Sequence, residues 1–184
     1  AISILYSNLV ASVRLTSPLP NAVDPRVYAA SPRNGFIDDL VLKKLESLRI
    51  PPSRQCGDAE FVRRLFLDVA GILPTPDEVK AFLADARPDR RARLVDALLD
   101  RPEFVDYWAY KWSDMLLITT RKLPQQGVWA FSRFVRQSVA DNKPWDRFAR
   151  DILTARGGSL RNGAANYFVL HKDVAELTEA TSVT

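Results

Sequence analysis

The chain has 184 residues, 47% of them hydrophobic and 26% charged, and its 26 Lys and Arg against 22 Asp and Glu leave a formal charge of +4. That length and apolar content allow one sizeable packed domain, or a domain with a fragment of another. A single cysteine, Cys56, and a single histidine, His171, exclude an intrachain disulfide, a Cys/His zinc site built within the chain and an internal Cys-x-x-Cys-His haem-attachment motif.

The basic residues are interleaved with acids. Arg63-Arg64 precede Asp68, and Arg90, Arg91 and Arg93 lie between Asp89 and Asp96. This is the pattern of solvated helix faces, whereas a nucleic-acid surface needs clustered positive charge, so no nucleic-acid partner is expected. No apolar run approaches the ~18–20 residues of a membrane-spanning helix.

In chain order, Ile2, Ile4 and Tyr6 alternate, Ser7-Asn8 read as a turn, and Leu9, Ala11, Val13 and Leu15 alternate again, which predicts a β-hairpin over residues 1–16. Two strands cannot bury a face alone. The hairpin is therefore expected to be the tail of a β-domain lying upstream, or an end that pairs with another sheet. Residues 17–35, with Pro18, Pro20, Pro25 and Pro32, have linker composition.

From Phe36 the period becomes helical. Ile37, Leu40, Val41, Leu45 and Leu48 recur at three and four residues and stop before Pro51-Pro52. Asp58 is placed to cap a helix that buries Phe61, Val62, Leu65, Phe66 and Val69, with Gly71 as its left-handed stop. Thr75, Pro76 and Glu78 form a capping box with proline at the first helical position, opening a helix to about Asp85. Pro88, Pro102, Pro124 and Pro144 each open a further periodic segment. Gly157-Gly158 break the pattern, and Asp173 caps a last helix that is still running at Thr184, so the helical domain, 36–184, is expected to continue beyond it. The fold class is thus mainly α: an irregular bundle of seven to eight short, proline-initiated helices with a short N-terminal β-hairpin.

Phe104 to Leu117 concentrates two of the four tryptophans, two of the five tyrosines and the only methionine. Trp108 and Trp112 stand four residues apart and share a helix face. Side chains of this size bury ~150–250 Å² each, so this helix is expected to be the centre of the core. Trp129 and Trp145, near helix starts, offer faces to a sugar or a porphyrin edge, but core placement is expected for them too.

Four stretches, in order, resemble a known family. They are Ile37 to Leu45; Phe66 to Gly71 leading into Leu73 to Asp85; Tyr107 to Leu116; and Phe134-Val135 through Asn142 to Ile152. Together they are similar to a domain of unknown function found in large exported planctomycete-type proteins that also carry cytochrome c-like domains. Residues 1–16 are similar to the last hairpin of a bacterial immunoglobulin-like domain. The resemblance implies an extracytoplasmic location, at the periplasm or cell surface. It also implies a Cys-x-x-Cys-His segment shortly after the position of Thr184, so any c-type haem would attach outside these residues.

No complete catalytic constellation is legible. Asp106 and Asp114 lie eight residues apart, ~12 Å along a helix axis, too far for either glycosidase geometry; pairing with Arg or Lys of a neighbouring helix is the expectation. Asp114 is the acid to test first. His171, whose type titrates near neutrality, is expected to be solvated or locally hydrogen-bonded in a loop. Cys56 precedes a helix whose amino end would lower a thiol pKa, but a loop cysteine of no functional consequence is the expectation. Gly157 to Gly163 lack phosphate-loop spacing and read as a connection.

Asp114, His171, Trp108 and Trp112 are therefore the candidate functional residues, with no catalytic residue, metal ligand or cofactor ligand assigned within the chain. The expected function is a non-catalytic helical interaction or scaffold module of an exported multidomain protein, associated with a c-type haem segment beyond the chain. Its partners would be other domains or chains of an exported assembly, a cytochrome among them. The alternatives are a carbohydrate-processing component using Asp114 and nearby aromatics, or an assembly subunit joined to a partner sheet through residues 1–16.

Overall fold

A proline ring removes a backbone donor and stops the preceding helix, and the chain is mainly helical with prolines between its helices. The computed structural model describes residues 16–183, and residues 2–6 and 9–13 by their backbone. Contacts divide the chain into two compact units, Ala1–Cys56 and Gly57–Thr184.

In the first unit, β1 (Ile2–Tyr6) and β2 (Leu9–Val13) run antiparallel with Ile2 opposite Val13 and Tyr6 opposite Leu9. The expected turn at Ser7-Asn8 lies outside the described residues. The proline-rich stretch is more ordered than its composition predicts. It holds a helical turn, α1 (Arg26–Ala29), whose Tyr28 is buried. Prolines leave few backbone donors there, and the Arg33 guanidinium supplies them, donating to the carbonyls of Tyr28, Ala29 and Ser31 while its Nε meets Asp39 at 2.8 Å. Asp39 lies on α2 (Phe36–Leu48), and the Leu19 N–H donates to the Leu48 carbonyl at 3.0 Å. Leu42 is the buried residue of α2, whereas Phe36, Ile37, Leu40 and Val41 are exposed.

The second unit holds two apolar clusters. The first is built by α3 (Asp58–Ala70), α4 (Pro76–Ala84) and α5 (Arg90–Leu99), which bring together Val62, Phe66, Phe82 and Leu98. The Thr75 capping box forms as its sequence predicts, with the Thr75 N–H donating to Glu78 at 2.7 Å and Pro76 at the first helical position. Gly71 ends α3 at φ 68°. Asp58 differs from expectation. Gly57 is the N-cap, and the Asp58 carboxylate instead accepts from Arg90 and Arg91 of α5. Two guanidiniums outcompete a single backbone N–H because charge-assisted hydrogen bonds are the stronger, and they hold the Asp58 carboxyl below its ordinary value.

The second cluster gathers residues from α6 (Pro102–Met115), α7 (Gln125–Ala140), α8 (Trp145–Leu153) and α9 (Asn166–Leu170). At its heart are Phe131, Val135, Phe148, Ile152 and Tyr167. A 3-10 turn, Gly163–Ala165, packs on α7, and α10 (Val174–Val183) follows. Asp173 caps α10 as predicted, its Oδ1 accepting from the Ala175 N–H at 2.9 Å.

The described residues thus hold ten helices, two of them single turns, and not all are proline-initiated. Pro76 and Pro102 open helices from within, Pro124 and Pro144 stand just before theirs, and Pro88 precedes Asp89, the N-cap of α5. Pro25 likewise stands just before α1, whereas α2 and α3 begin after Gly35 and Gly57, α9 runs on from the 3-10 turn and α10 begins after Asp173.

The aromatic helix α6 is central in a different way from the one its composition predicts. It lies against both α3 and α7, yet Ala109 is its buried residue. A small side chain allows close approach of a neighbouring backbone, and the large rings are displaced to the flanks.

Candidate tryptophan cleft

The end of α7 sets the geometry. Asn142 takes a left-handed conformation, φ 45°, so that its N–H reaches the Val139 carbonyl at 3.0 Å and the Lys143 N–H reaches the Ser138 carbonyl at 2.9 Å. This closes the helix with six-to-one and five-to-two bonds, an ending that asparagine tolerates better than most residues. Pro144 then starts α8, with Trp145 as its first residue. Three consecutive sequence decisions therefore deliver Asn142, Lys143 and Trp145 to one corner.

From α6, Trp112 stacks on Trp145 with ring centroids 4.3 Å apart and planes 30° from parallel. Phe148, buried, lies 5.2 Å from Trp145 and stacks on Phe134 at 5.7 Å. Trp108, one turn earlier, donates its indole N–H to the Val69 carbonyl of α3 at 3.1 Å. Phe104 lies 6.2 Å from Trp108. These rings, with Ser138, Val139, Asn142 and Lys143, line a cleft of about 330 Å³. Trp145 and Phe148 are also walls of an adjoining apolar cleft of about 200 Å³ that reaches Tyr167 and Thr181.

The expectation of core placement is corrected for the flanking rings. Trp145 is 51% exposed, Trp129 is 65% exposed and Trp108 is 36% exposed, while Trp112 is partly buried against the second cluster. Helical periodicity marks a face, and which part of that face a neighbour covers depends on the crossing of α6, α7 and α8. Trp129 lies outside both clefts.

The polar groups of the main cleft are few. The Lys143 ammonium is 2.8 Å from Asp151 and 4.9 Å from the centre of the Phe134 ring. The Ser138 hydroxyl donates to the Phe134 carbonyl at 2.8 Å.

The remaining candidates lie elsewhere. Asp114 is exposed in a separate cleft of about 350 Å³ that it shares with Asp106, Ser113, Ser132 and Arg136. Asp106 has the interhelical partner expected of it, accepting from Arg136 Nε at 2.8 Å. His171 is not the solvated loop residue that its neighbours Lys172 and Asp173 predict. It is 4% exposed, its ring stands edge-on to Tyr167 at 4.9 Å, and its Nδ1, without a hydrogen bond among the described residues, faces Glu176 Oε1 at 3.6 Å. Glu176 also pairs with Lys122, whose ammonium holds its carboxyl below the ordinary value. The fold buries His171 because Tyr167, one turn earlier on α9, is itself core.

Sequence reasoning missed Asn142, Lys143 and Asn166. The Asn-Lys-Pro-Trp run contains the signal for the first two, a left-handed-tolerant residue before a helix-opening proline. Asn166 is fully buried, donating to the carbonyls of Ser159 at 2.8 Å and Gly163 at 2.9 Å.

Among the described residues no three of His, Cys, Asp and Glu gather as a metal site, and no helix is long and apolar enough to cross a membrane. No curated protein and no solved structure matches the chain. A family model matches residues 36–183, from the start of α2 to the end of α10 and across every residue of the tryptophan cleft. The chain therefore belongs to the PSCyt2 family of proteins of unknown function (DUF1549).

Proposed function

We propose that this chain is a non-catalytic helical interaction module of an exported multidomain protein, and that the tryptophan cleft is its contact surface. The observation that carries the reading is the state of the cleft's lining. Lys143, its one ionisable side chain, is already paired with Asp151. What the cleft offers a partner is aromatic surface, which supports binding more directly than proton transfer or nucleophilic attack.

The resemblance of residues 36–184 to exported cytochrome c-associated proteins supports an extracytoplasmic setting beside a c-type haem segment used in electron transfer. In that setting the haem attaches outside these residues. The preceding strands, on the same resemblance, are the end of an immunoglobulin-like domain. The natural polypeptide is then expected to carry Cys-x-x-Cys-His after Thr184 and to show a haem absorption band when purified from its exported form. A protein with neither feature refutes the haem association.

A second reading has one observation in its favour, the cleft that Asp114 shares with Asp106, Ser113 and Arg136. A carbohydrate-processing role there predicts that Asp114→Asn abolishes a glycan-directed activity while thermal unfolding is unchanged. An assembly role for residues 1–16 predicts that deleting them changes the mass measured in solution.

A further inference from the structure

We infer that the tryptophan cleft binds a carbohydrate chain, with a pyranose ring laid against Trp145 and Trp108. The inference rests on the reading of the cleft as a contact surface and adds the chemical class of what it contacts. Exposed indoles are costly to leave in water, and a cluster of them rimmed by polar groups marks a recognition site rather than a chance surface. A cleft of about 330 Å³ lies at the small-ligand end of binding sites.

The lining discriminates between occupants. Val139 is its only aliphatic residue, whereas a groove for an amphipathic helix needs aliphatic holes for a row of apolar anchors. A quaternary ammonium also suits an aromatic cage, but the one ionisable side chain of this lining, Lys143, is itself a cation, and no carboxylate lines the cleft. A pyranose has flat C–H faces that match indole rings and hydroxyl groups around its edge. The Asn142 amide lines the cleft with donors for those hydroxyls, and the Ser138 oxygen, having given its proton to a carbonyl, remains an acceptor.

The adjoining cleft shares Trp145 and Phe148 but is otherwise lined mainly by apolar side chains, Leu116, Ile152 and Leu153 among them, so the sugar is placed in the main cleft.

The test is isothermal titration of the whole chain with cello-, xylo-, chito- and malto-oligosaccharides, repeated with Trp145→Ala, Trp145→Phe and Trp129→Ala. Circular dichroism verifies that each variant is folded. At least one series is expected to bind saturably. Trp145→Ala should weaken it at least about tenfold, as loss of a central aromatic anchor does. Trp145→Phe should fall between the two, and Trp129→Ala should match the unchanged protein. No saturable binding to any of the four series, or binding that Trp145→Ala leaves intact, overturns the inference. The underlying reading is tested separately by titrating a soluble c-type cytochrome. Trp145-dependent binding of the cytochrome, with no sugar bound, overturns the carbohydrate and keeps the contact surface, while Trp145-independent behaviour towards every probe removes both.

Discussion

A methyl group at Gly163 has nowhere to go. A Cβ there would fall onto the Ala130 carbonyl of α7, and a backbone atom cannot swing aside as a flexible side chain can. Gly163→Ala is therefore expected to destabilise the second unit by about 1–3 kcal/mol, the usual cost of overpacking, read as a lower denaturation midpoint in urea. Arg49 presents the opposite case. It is exposed and held at φ 56°, a left-handed conformation that costs a side-chain-bearing residue about 1–2 kcal/mol. Arg49→Gly should recover up to about 1 kcal/mol, since part of the gain is offset by the freedom of glycine in the unfolded chain. A lower midpoint for this variant would show that the guanidinium has a stabilising contact. Neither position was legible as special: Gly163 read as the end of the Gly157 to Gly163 connection, and an arginine after Leu48 carries no sign of its backbone conformation. Gly71, by contrast, was legible because glycine after a periodic segment is the usual left-handed stop, and its φ of 68° agrees.

Helix starts and stops explain which elements were readable. The Thr75 capping box uses only residues within one turn, so its sequence suffices. Its Glu78 then acquires a second role that no local pattern contains, accepting from Arg101 at the start of α6 at 2.6 Å. Glu78→Ala should thus cost more than the ~1 kcal/mol typical of losing a helix cap, because it also leaves Arg101 with Glu103 alone. A double-mutant cycle with Arg101→Ala measures the excess, and strict additivity would show that the two roles are independent. Three helix ends share one device. After α2, α6 and α7 a non-glycine residue, Arg49, Leu117 or Asn142, turns left-handed so that the next N–H, of Ile50, Ile118 or Lys143, bonds the carbonyl of Leu45, Ser113 or Ser138. The last of these ends builds the tryptophan cleft. For α6 the period correctly indicates an amphipathic helix, but ring size misidentifies its buried residue. The helix lies against two neighbours, and Ala109 rather than Trp108 is its buried residue, while Trp108 reaches α3 through its indole N–H.

Acid should weaken the whole second unit. The Asp85 carboxyl is held down to about 2 from an ordinary value of 3.8, chiefly by the Arg87 guanidinium, and those of Asp58, Glu78, Glu103 and Glu176 are also lowered. A carboxyl whose folded pKa lies below its unfolded one stabilises the fold in full above the unfolded value and loses that contribution as pH falls through the folded one. The thermal midpoint is therefore expected to stay level above the ordinary carboxylate values of 3.8 and 4.5 and to fall from there towards pH 2. A midpoint unchanged down to pH 2 would contradict the network. The pairs themselves join α3 to α5 and α4 to α6, around the cluster of Val62, Phe66, Phe82 and Leu98. By itself the sequence determined the helical class and such local devices as the Thr75 capping box, the Gly71 stop and the Asp173 cap, because periodicity and capping act within a few residues. Tertiary structure alone decided which rings of Trp108, Trp112 and Trp145 would be covered, that His171 would be buried against Tyr167, and that Asp114 would stand apart from the tryptophans. Those outcomes depend on how helices distant in sequence cross, and the side chains that settle a crossing are the small ones, Ala109 and Gly163, whose importance is invisible until two backbones meet.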